Sequence, residues 1–393
     1  MKVLFISPLL PYPLYSGGQV RIYNLLRTLA KEHEVTLFSF VRDSQEKKYL
    51  SELSFLHKVH LVKRGSVWQL PYLFRAATSS LPLLLASYEN NHMKKAITEE
   101  LRSASYDCIH IEPFYVCPSL PKNIKIPVVV GEHNIEYTVY DTYVKQFPFV
   151  PLRPIMRLDV KKIQEQEERM WKKAKSITAV SPGDVSVIEA VTKKKVTLVP
   201  NGVDTKHFVF HKREFSESTP SFLFVGNFLW MPNMKAVERL LFDIWPNVIK
   251  GMPEAKLHIV GQKLSVALQE KAAAMHVTYL DHVEDIREMY ESSDILVAPM
   301  TIAGGTKFKM LEALASGCLV ITTKEGMEGI DAISGVHYYQ ANATLEFLTT
   351  IRQVLGDQKK SQKISVEGRK LVEEKYDWES IGSVLSHVWK EAV

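Results

Sequence analysis

Short, continuously apolar runs punctuate longer amphipathic stretches along the whole of this chain, and that alternation constrains its fold more than any other feature. In the first half the runs fall at 3–7, 35–40, 59–62, 108–111, 128–131 and 176–180. An unbroken apolar strand must be covered on both faces, which is the situation of parallel strands joined by crossover helices. The stretch 19–31 shows the intervening pattern, with Val20, Tyr23, Leu26, Leu29 and Ala30 recurring at helical spacing. Runs at 221–225, 256–260, 277–280, 295–299 and 319–322 repeat the scheme. Between the two sets the pattern lapses into Pro200-Asn201-Gly202-Val203-Asp204 and the polar stretch 213–220, which reads as a linker. A chain of 393 residues also exceeds what one core usually supports. The expected fold class is therefore α/β, with two Rossmann-like doubly wound domains, 1–204 and 205–375, and ligands bound in a cleft at the carboxyl ends of their strands.

Composition narrows the function by exclusion. Apolar residues make up 46% and charged residues 24%, as in soluble globular proteins. The net charge of +5 suits a protein that handles anions or rests on an anionic membrane, but basic residues are not interleaved with aromatics, so no nucleic-acid partner is expected. The run Lys193-Lys194-Lys195 reads as a solvated turn. Cys108, Cys117 and Cys318 lack paired or metal-ligand spacing, which fits reduced thiols and a cytoplasmic setting. The opening residues read as a buried strand, not a signal peptide, and no apolar run approaches the ~18 residues that span a bilayer. The segment 68–95 breaks the alternation: Trp68, Tyr72, Phe74, Leu81 and Leu83 stand among Arg64, Arg75, Lys94 and Lys95. It is either an added pair of helices on the core or an element facing an acceptor or a membrane.

The strongest chemical signal is the stretch from Gly304-Gly305-Thr306-Lys307-Phe308-Lys309 through Glu312 to Gly317. It follows an apolar run, opens with glycines that admit a ligand to the backbone, and enters a helix whose first N–H groups are unpaired. Lys307 and Lys309 oppose the usual preference for acidic residues in a first turn, so an external dianion would balance them; the bland alternative is two solvated lysines. Glu312 lies about a turn further on, where a carboxylate can accept from a diol such as ribose. In the first half, Gly17 and Gly18 sit between the first strand and first helix, either to bring backbone N–H groups to a ligand or simply to turn the chain. Glu132-His133-Asn134-Ile135-Glu136 follows the run 128–131, so His133 should emerge at the carboxyl edge of the sheet. The acidic residues around Asp281 and Asp141 do not form an Asp-x-Asp pair, and no metal is expected.

These motifs, together with Pro200-Asn201-Gly202-Val203-Asp204, Phe224-Val225-Gly226-Asn227 and 294–299, resemble the group 1 family of retaining glycosyltransferases with the GT-B fold, over nearly the whole chain. The resemblance implies a first domain that binds the acceptor and a second that binds a nucleotide diphosphate sugar. The last segment, 376–393, would cross back as a helix capped near Asp377. Glu312 would hold the donor ribose, and Gly304, Gly305, Thr306, Lys307 and Lys309 the diphosphate and sugar. His133 would lie near the reacting centre, Gly17 and Gly18 in the glycine-rich loop, and Asn201 in its own motif. The backbone at His282 and Val283 would hold the base. This sequence departs from the family in two places. Gly304 stands where many members carry a sugar-binding glutamate, and Asn227, after Gly226, stands where an arginine is common, leaving Lys235 as a candidate second cation.

The implied reaction is metal-independent hexosyl transfer with retention, to a glycan, lipid-linked or small-molecule acceptor, with no cofactor. It would take place in the cytoplasm, with peripheral contact at the inner membrane face through 68–95. The competing readings are a non-catalytic GT-B partner subunit, given Gly304 and Asn227, and a nucleotide-sugar epimerase or hydrolase.

Overall fold

The computed structural model describes residues 1–121, 123–215, 218–302 and 306–393. The chain divides into two compact units, residues 1–200 with 381–393, and residues 201–380. The division falls four residues before the linker motif ends, because Val203 bridges to Asp377 and its N–H donates to the Tyr376 carbonyl at 2.8 Å. Arg213, in the polar stretch expected to be a linker, is instead buried in the second unit and donates to the carbonyls of Tyr290, Glu291 and Ser316.

The first unit holds a seven-stranded parallel sheet in the order β3-β2-β1-β4-β5-β6-β7. Its strands are β1 (Lys2–Ser7), β2 (Glu34–Val41), β3 (Lys58–Lys63), β4 (Cys108–Ile111), β5 (Val128–Glu132), β6 (Ser176–Ala179) and β7 (Val196–Leu198). The apolar runs are buried as expected: Val3, Leu4, Phe5 and Ile6 have no exposed surface. The first helix, Gly17–Leu29, starts two residues earlier than the apolar spacing suggests, because Ser16 caps it by accepting from the Gln19 N–H. Segment 68–95 contributes helices Leu70–Thr78 and Leu83–Ala86; Leu85 and Ala86 are buried, whereas Trp68, Leu70 and Phe74 are exposed. The basic run is not merely solvated: Lys194 Nζ donates to the Trp171, Lys172 and Ala174 carbonyls at the end of the helix Arg153–Lys173.

The second unit holds a six-stranded parallel sheet, β10-β9-β8-β11-β12-β13. Here β8 is Ser221–Val225, β9 Lys256–Val260, β10 Thr278–Leu280, β11 Ile295–Ala298, β12 Leu319–Thr322 and β13 Tyr339–Gln340. The chain order reverses between β1 and β4 in one sheet and between β8 and β11 in the other, which is where open parallel sheets present loops to a ligand. The last helix, Trp378–Ala392, begins at Asp377, whose Oδ1 accepts from the Glu379 N–H at 2.9 Å. Beyond Ile381 its residues belong to the first unit: Ser386 Oγ lies 2.7 Å from His33 Nε2, and the Trp389 indole donates to His110 Nδ1. Among the described residues no helix is long and apolar enough to cross a membrane, and the three cysteines are free thiols.

Candidate functional sites at the two switch points

In the first unit the site is organised around Glu112, just past β4. It is fully buried and gathers Arg21 Nε at 2.5 Å and His133 Nε2 at 2.9 Å on Oε1, and His110 Nε2 at 2.9 Å on Oε2. Burial opposes ionisation, but the Arg21 guanidinium and the bonds from His110 and His133 hold this carboxyl well below its ordinary range. The tautomers follow from the donors. An indole N–H can only donate, so His110 Nδ1 accepts from Trp389 at 3.0 Å and its Nε2 carries the proton shared with Glu112. His133 likewise gives its Nε2 proton to the carboxylate. Its Nδ1 edge faces Gly18, where an added Cβ would lie 3.8 Å from Nδ1 and Cε1. His133 is thus a half-buried imidazole, oriented by an anion, with its free nitrogen turned to the N-terminus of the helix Gly17–Leu29. The sequence placed His133, Gly17 and Gly18 at this edge; it gave no sign of Glu112, Arg21 or His110, which three different elements bring together.

In the second unit the loop after β11 leads to the helix Phe308–Ser316, with Lys307 as its N-cap residue. Gly304 and Gly305 lie outside the described residues. Lys309 is buried, its Nζ 4.5 Å from the centroid of the Phe224 ring and donating to Asn233 Oδ1 at 2.7 Å. Burial, reinforced by the charge of Lys307, pushes the Lys309 ammonium down to about 7. Among the described residues no carboxylate forms an ion pair with it. Glu312 is half-buried and fixed by Tyr290, whose hydroxyl donates to Oε2 at 2.7 Å. Burial raises the Glu312 carboxyl, while the Tyr290 bond and Lys309 act the other way.

The remaining second-unit candidates separate. Lys307 does not stand in solvent: its Nζ donates to the Glu325 carbonyl at 2.7 Å, and burial lowers its pKa. Thr306 is buried, its hydroxyl 3.4 Å from the Gly329 carbonyl oxygen. Asn227 turns its Oδ1 to the Leu229 N–H, and its carbonyl accepts from Asn233 Nδ2, so Asn233 ties the loop after β8 to Lys309. Lys235 is not part of this group; it is exposed and pairs with Glu238 at 2.8 Å, one helical turn away. Gly226 follows β8 and is pressed by Gly261, whose φ is +138° and whose added Cβ would lie 1.8 Å from the Gly226 carbonyl oxygen. Only glycine at 261 lets these two backbones meet at the mouth of the sheet. His282 is exposed and Val283 packs partly on the core in the loop after β10, while Asn201 is half-buried at the start of the unit. Among the described residues no group of three or more His, Cys, Asp or Glu side chains is arranged to hold a metal ion.

Both units match known domain families. Residues 15–207 match the family described as Glycosyltransferase Family 4, and residues 219–357 the one described as Glycosyl transferases group 1. The chain carries both domains of a GT-B glycosyltransferase. This glycosyltransferase is 22% identical to the putative glycosyltransferase YtcC of Bacillus subtilis, over 100% of its own length and 93% of the relative's. It is 24% identical, over 99% of each chain, to an uncharacterized protein in the cps region of Klebsiella pneumoniae. Its fold is that of sucrose-phosphate synthase from Thermosynechococcus elongatus, with a TM-score of 0.74 at 16% identity, covering 99% of this chain and 98% of the other. The Anabaena protein HepE, solved with UDP and glucose, aligns over 100% of both chains with a TM-score of 0.65 at 14% identity.

Proposed function

We propose that this glycosyltransferase moves a hexosyl group from a nucleotide diphosphate sugar to a glycan, lipid-linked or small-molecule acceptor, with retention, without a metal and without a further cofactor. The single observation that carries the donor assignment is Lys309, a buried ammonium with no carboxylate partner among the described residues, at the start of a helix. A charge left so in a folded protein calls for an external anion, and the positive end of the helix dipole favours the same occupant. Four residues on, Glu312 offers Oε1 to a ribose diol while Tyr290 holds Oε2. The Anabaena neighbour's complex with UDP-glucose supports a nucleotide diphosphate sugar as the donor class.

In the reaction the acceptor oxygen bonds to the anomeric carbon as the bond from that carbon to the diphosphate breaks. The acceptor proton passes to the departing phosphate oxygen, the front-face course that the family resemblance implies. The added charge on the leaving group is the main barrier, and the Lys309 ammonium and helix N–H groups are fixed before it develops. Turnover of UDP-glucose and related donors, followed by release of diphosphate, tests this reading. Activity is expected to persist in chelator, and Glu312→Ala is expected to weaken UDP binding about tenfold, the loss of one charge-assisted bond. Turnover lost in chelator and restored by magnesium would overturn the metal-free mechanism; unchanged UDP affinity in the variant would overturn the ribose assignment.

The proposal extends to a bilayer surface. Trp68, Leu70 and Phe74 stand exposed at the helix Leu70–Thr78, and Ile155 and Leu158 on the helix Arg153–Lys173, with Arg157 and Lys161 exposed beside them. Lys162 joins the two helices by donating to the Ala76 and Ser79 carbonyls. Apolar tips ringed by cations suit an anionic lipid headgroup layer. Co-sedimentation with phosphatidylglycerol vesicles, weakened by salt and lost in the double variant Trp68→Ser, Phe74→Ser, is the expected result. Equal sedimentation of the variant, or none by the native chain, would remove the membrane from the proposal.

A further inference from the structure

Beside His133, the carboxyl edge of the first sheet carries a group of polar heads that the fold does not use. Tyr115 follows β4, Glu136 opens the helix Glu136–Gln146 after β5, Tyr140 lies one turn along that helix, and Tyr88 approaches from the loop after Leu83–Ala86. The Tyr88 and Tyr115 rings are 5.0 Å apart and tilted by 38°. Tyr88 is held in place by Phe40, edge-on at 5.4 Å, and by the Arg64 guanidinium 4.1 Å from its ring centroid, itself anchored on Ser87 Oγ at 2.9 Å.

Burial raises the hydroxyl pKa of Tyr88, Tyr115 and Tyr140, and the charge of Glu136 raises all three further, which puts the four groups within electrostatic reach of one another. Burial also pushes the Glu136 carboxyl up to about 7. Yet among the described residues neither the three hydroxyls nor the Glu136 carboxylate has a hydrogen-bond partner, and none of these oxygens is sealed from solvent. By contrast the nearby Glu132 and Glu167 carboxylates are engaged, by the Trp171 indole and by the N–H groups of Glu136 and Tyr137. Polar heads that are largely buried yet still reach solvent, and that bond nothing in the protein, are placed to bond a ligand. The rings themselves pack on the core and on one another, so what is left for a ligand is three phenol hydroxyls and a carboxylate, which match one ligand chemistry: a polyol whose hydroxyls pair with them.

We propose that Tyr88, Tyr115, Tyr140 and Glu136 form a saccharide subsite that holds the acceptor, with the sugar's hydroxyls on Glu136 and the phenols. The role of acceptor rests on the glycosyl-transfer reading; the affinity for a saccharide does not. The test is saturation-transfer NMR on the full chain with methyl glucoside, methyl galactoside and methyl mannoside as probes, with and without UDP. At least one glycoside is expected to receive saturation, and Tyr115→Phe and Glu136→Leu are expected to cut that signal several-fold. Because these heads bond nothing in the protein, both variants should melt no lower than the native chain and bind UDP as well. Undiminished signal in both folded variants, or no signal from any glycoside with the native chain, would overturn the subsite. Glycoside binding without UDP binding would instead overturn the donor assignment and leave the subsite standing.

Discussion

Replacing His133 by alanine is expected to lower turnover by roughly 100-fold, equivalent to ~2.7 kcal/mol of transition-state stabilisation, while UDP affinity stays near that of the native chain. The argument starts at Glu112. Its carboxylate fixes the His133 Nε2 proton and so leaves Nδ1 as the group that meets a ligand, on the side of Gly18. The nucleotide contacts proposed at Lys309 and Glu312 lie on the other unit, so bare diphosphate should not register the loss. A purely structural histidine would behave differently: its removal would leave a buried carboxylate short of one donor, lower the melting temperature and spare turnover per folded molecule. Gly18→Ala probes the same edge without touching the network. Its methyl would sit at ordinary contact distance from the imidazole, so the fold should tolerate it, but it would occupy the space in front of Nδ1. Turnover about tenfold down at an unchanged melting temperature is the expected result. Turnover near normal in both variants, measured beside melting temperature and UDP affinity, would remove His133 from the chemistry.

The sequence exposed the fold because a parallel strand buried on both faces must be largely apolar: β11 is so throughout, and β1, β4, β5 and β12 each carry an apolar run with only one or two polar residues. Strands at the margins obey a weaker rule. β7 spans three residues with one half-buried and one exposed, and β13 only two, so neither leaves an apolar run to read. The site was legible where position along the chain decides function. A residue following a core strand reaches the sheet edge whatever the rest of the chain does, which is why His133 and Gly226 could be placed. It was not legible where function depends on which distant side chain meets which. Arg21, His110 and Glu112 converge only through the pairing of β1 with β4 and of β4 with β5. The subsite tyrosines come from three separate loops and helices. Lys307, Lys309 and Lys235 look alike in sequence, yet one ammonium ends on a backbone carbonyl, one over a buried ring and one on a surface glutamate.

That difference among lysines yields the second large effect. Lys309→Met keeps the stem and removes the charge. Without ligand, the native ammonium is buried on Phe224 and Asn233, in ion-pair contact with no carboxylate among the described residues, and the attraction of Glu312 does not offset its burial, so the variant should melt no lower than the native chain near pH 7. Its UDP affinity, in contrast, should fall by roughly 10- to 150-fold, the ~1.5–3 kcal/mol of a charge-assisted contact. The pH dependence has a definite sign. Burial lowers this group from 10.5 to about 7, so between those values the folded, unliganded chain binds fewer protons than the unfolded one. The destabilising contribution of the buried charge is therefore complete below pH 7 and fades as pH rises toward 10.5. A bound diphosphate acts in the opposite direction by favouring the ammonium, so binding above pH 7 must take up a proton. Native affinity should then decline by up to about tenfold per pH unit between pH 7 and 9, while Lys309→Met stays flat across that window. Isothermal calorimetry at several pH values, in two buffers of different ionisation heat, reads both the affinity and the proton. The same slope in the variant, or no proton uptake by the native chain, would show that Lys309 is not the cation that meets the diphosphate.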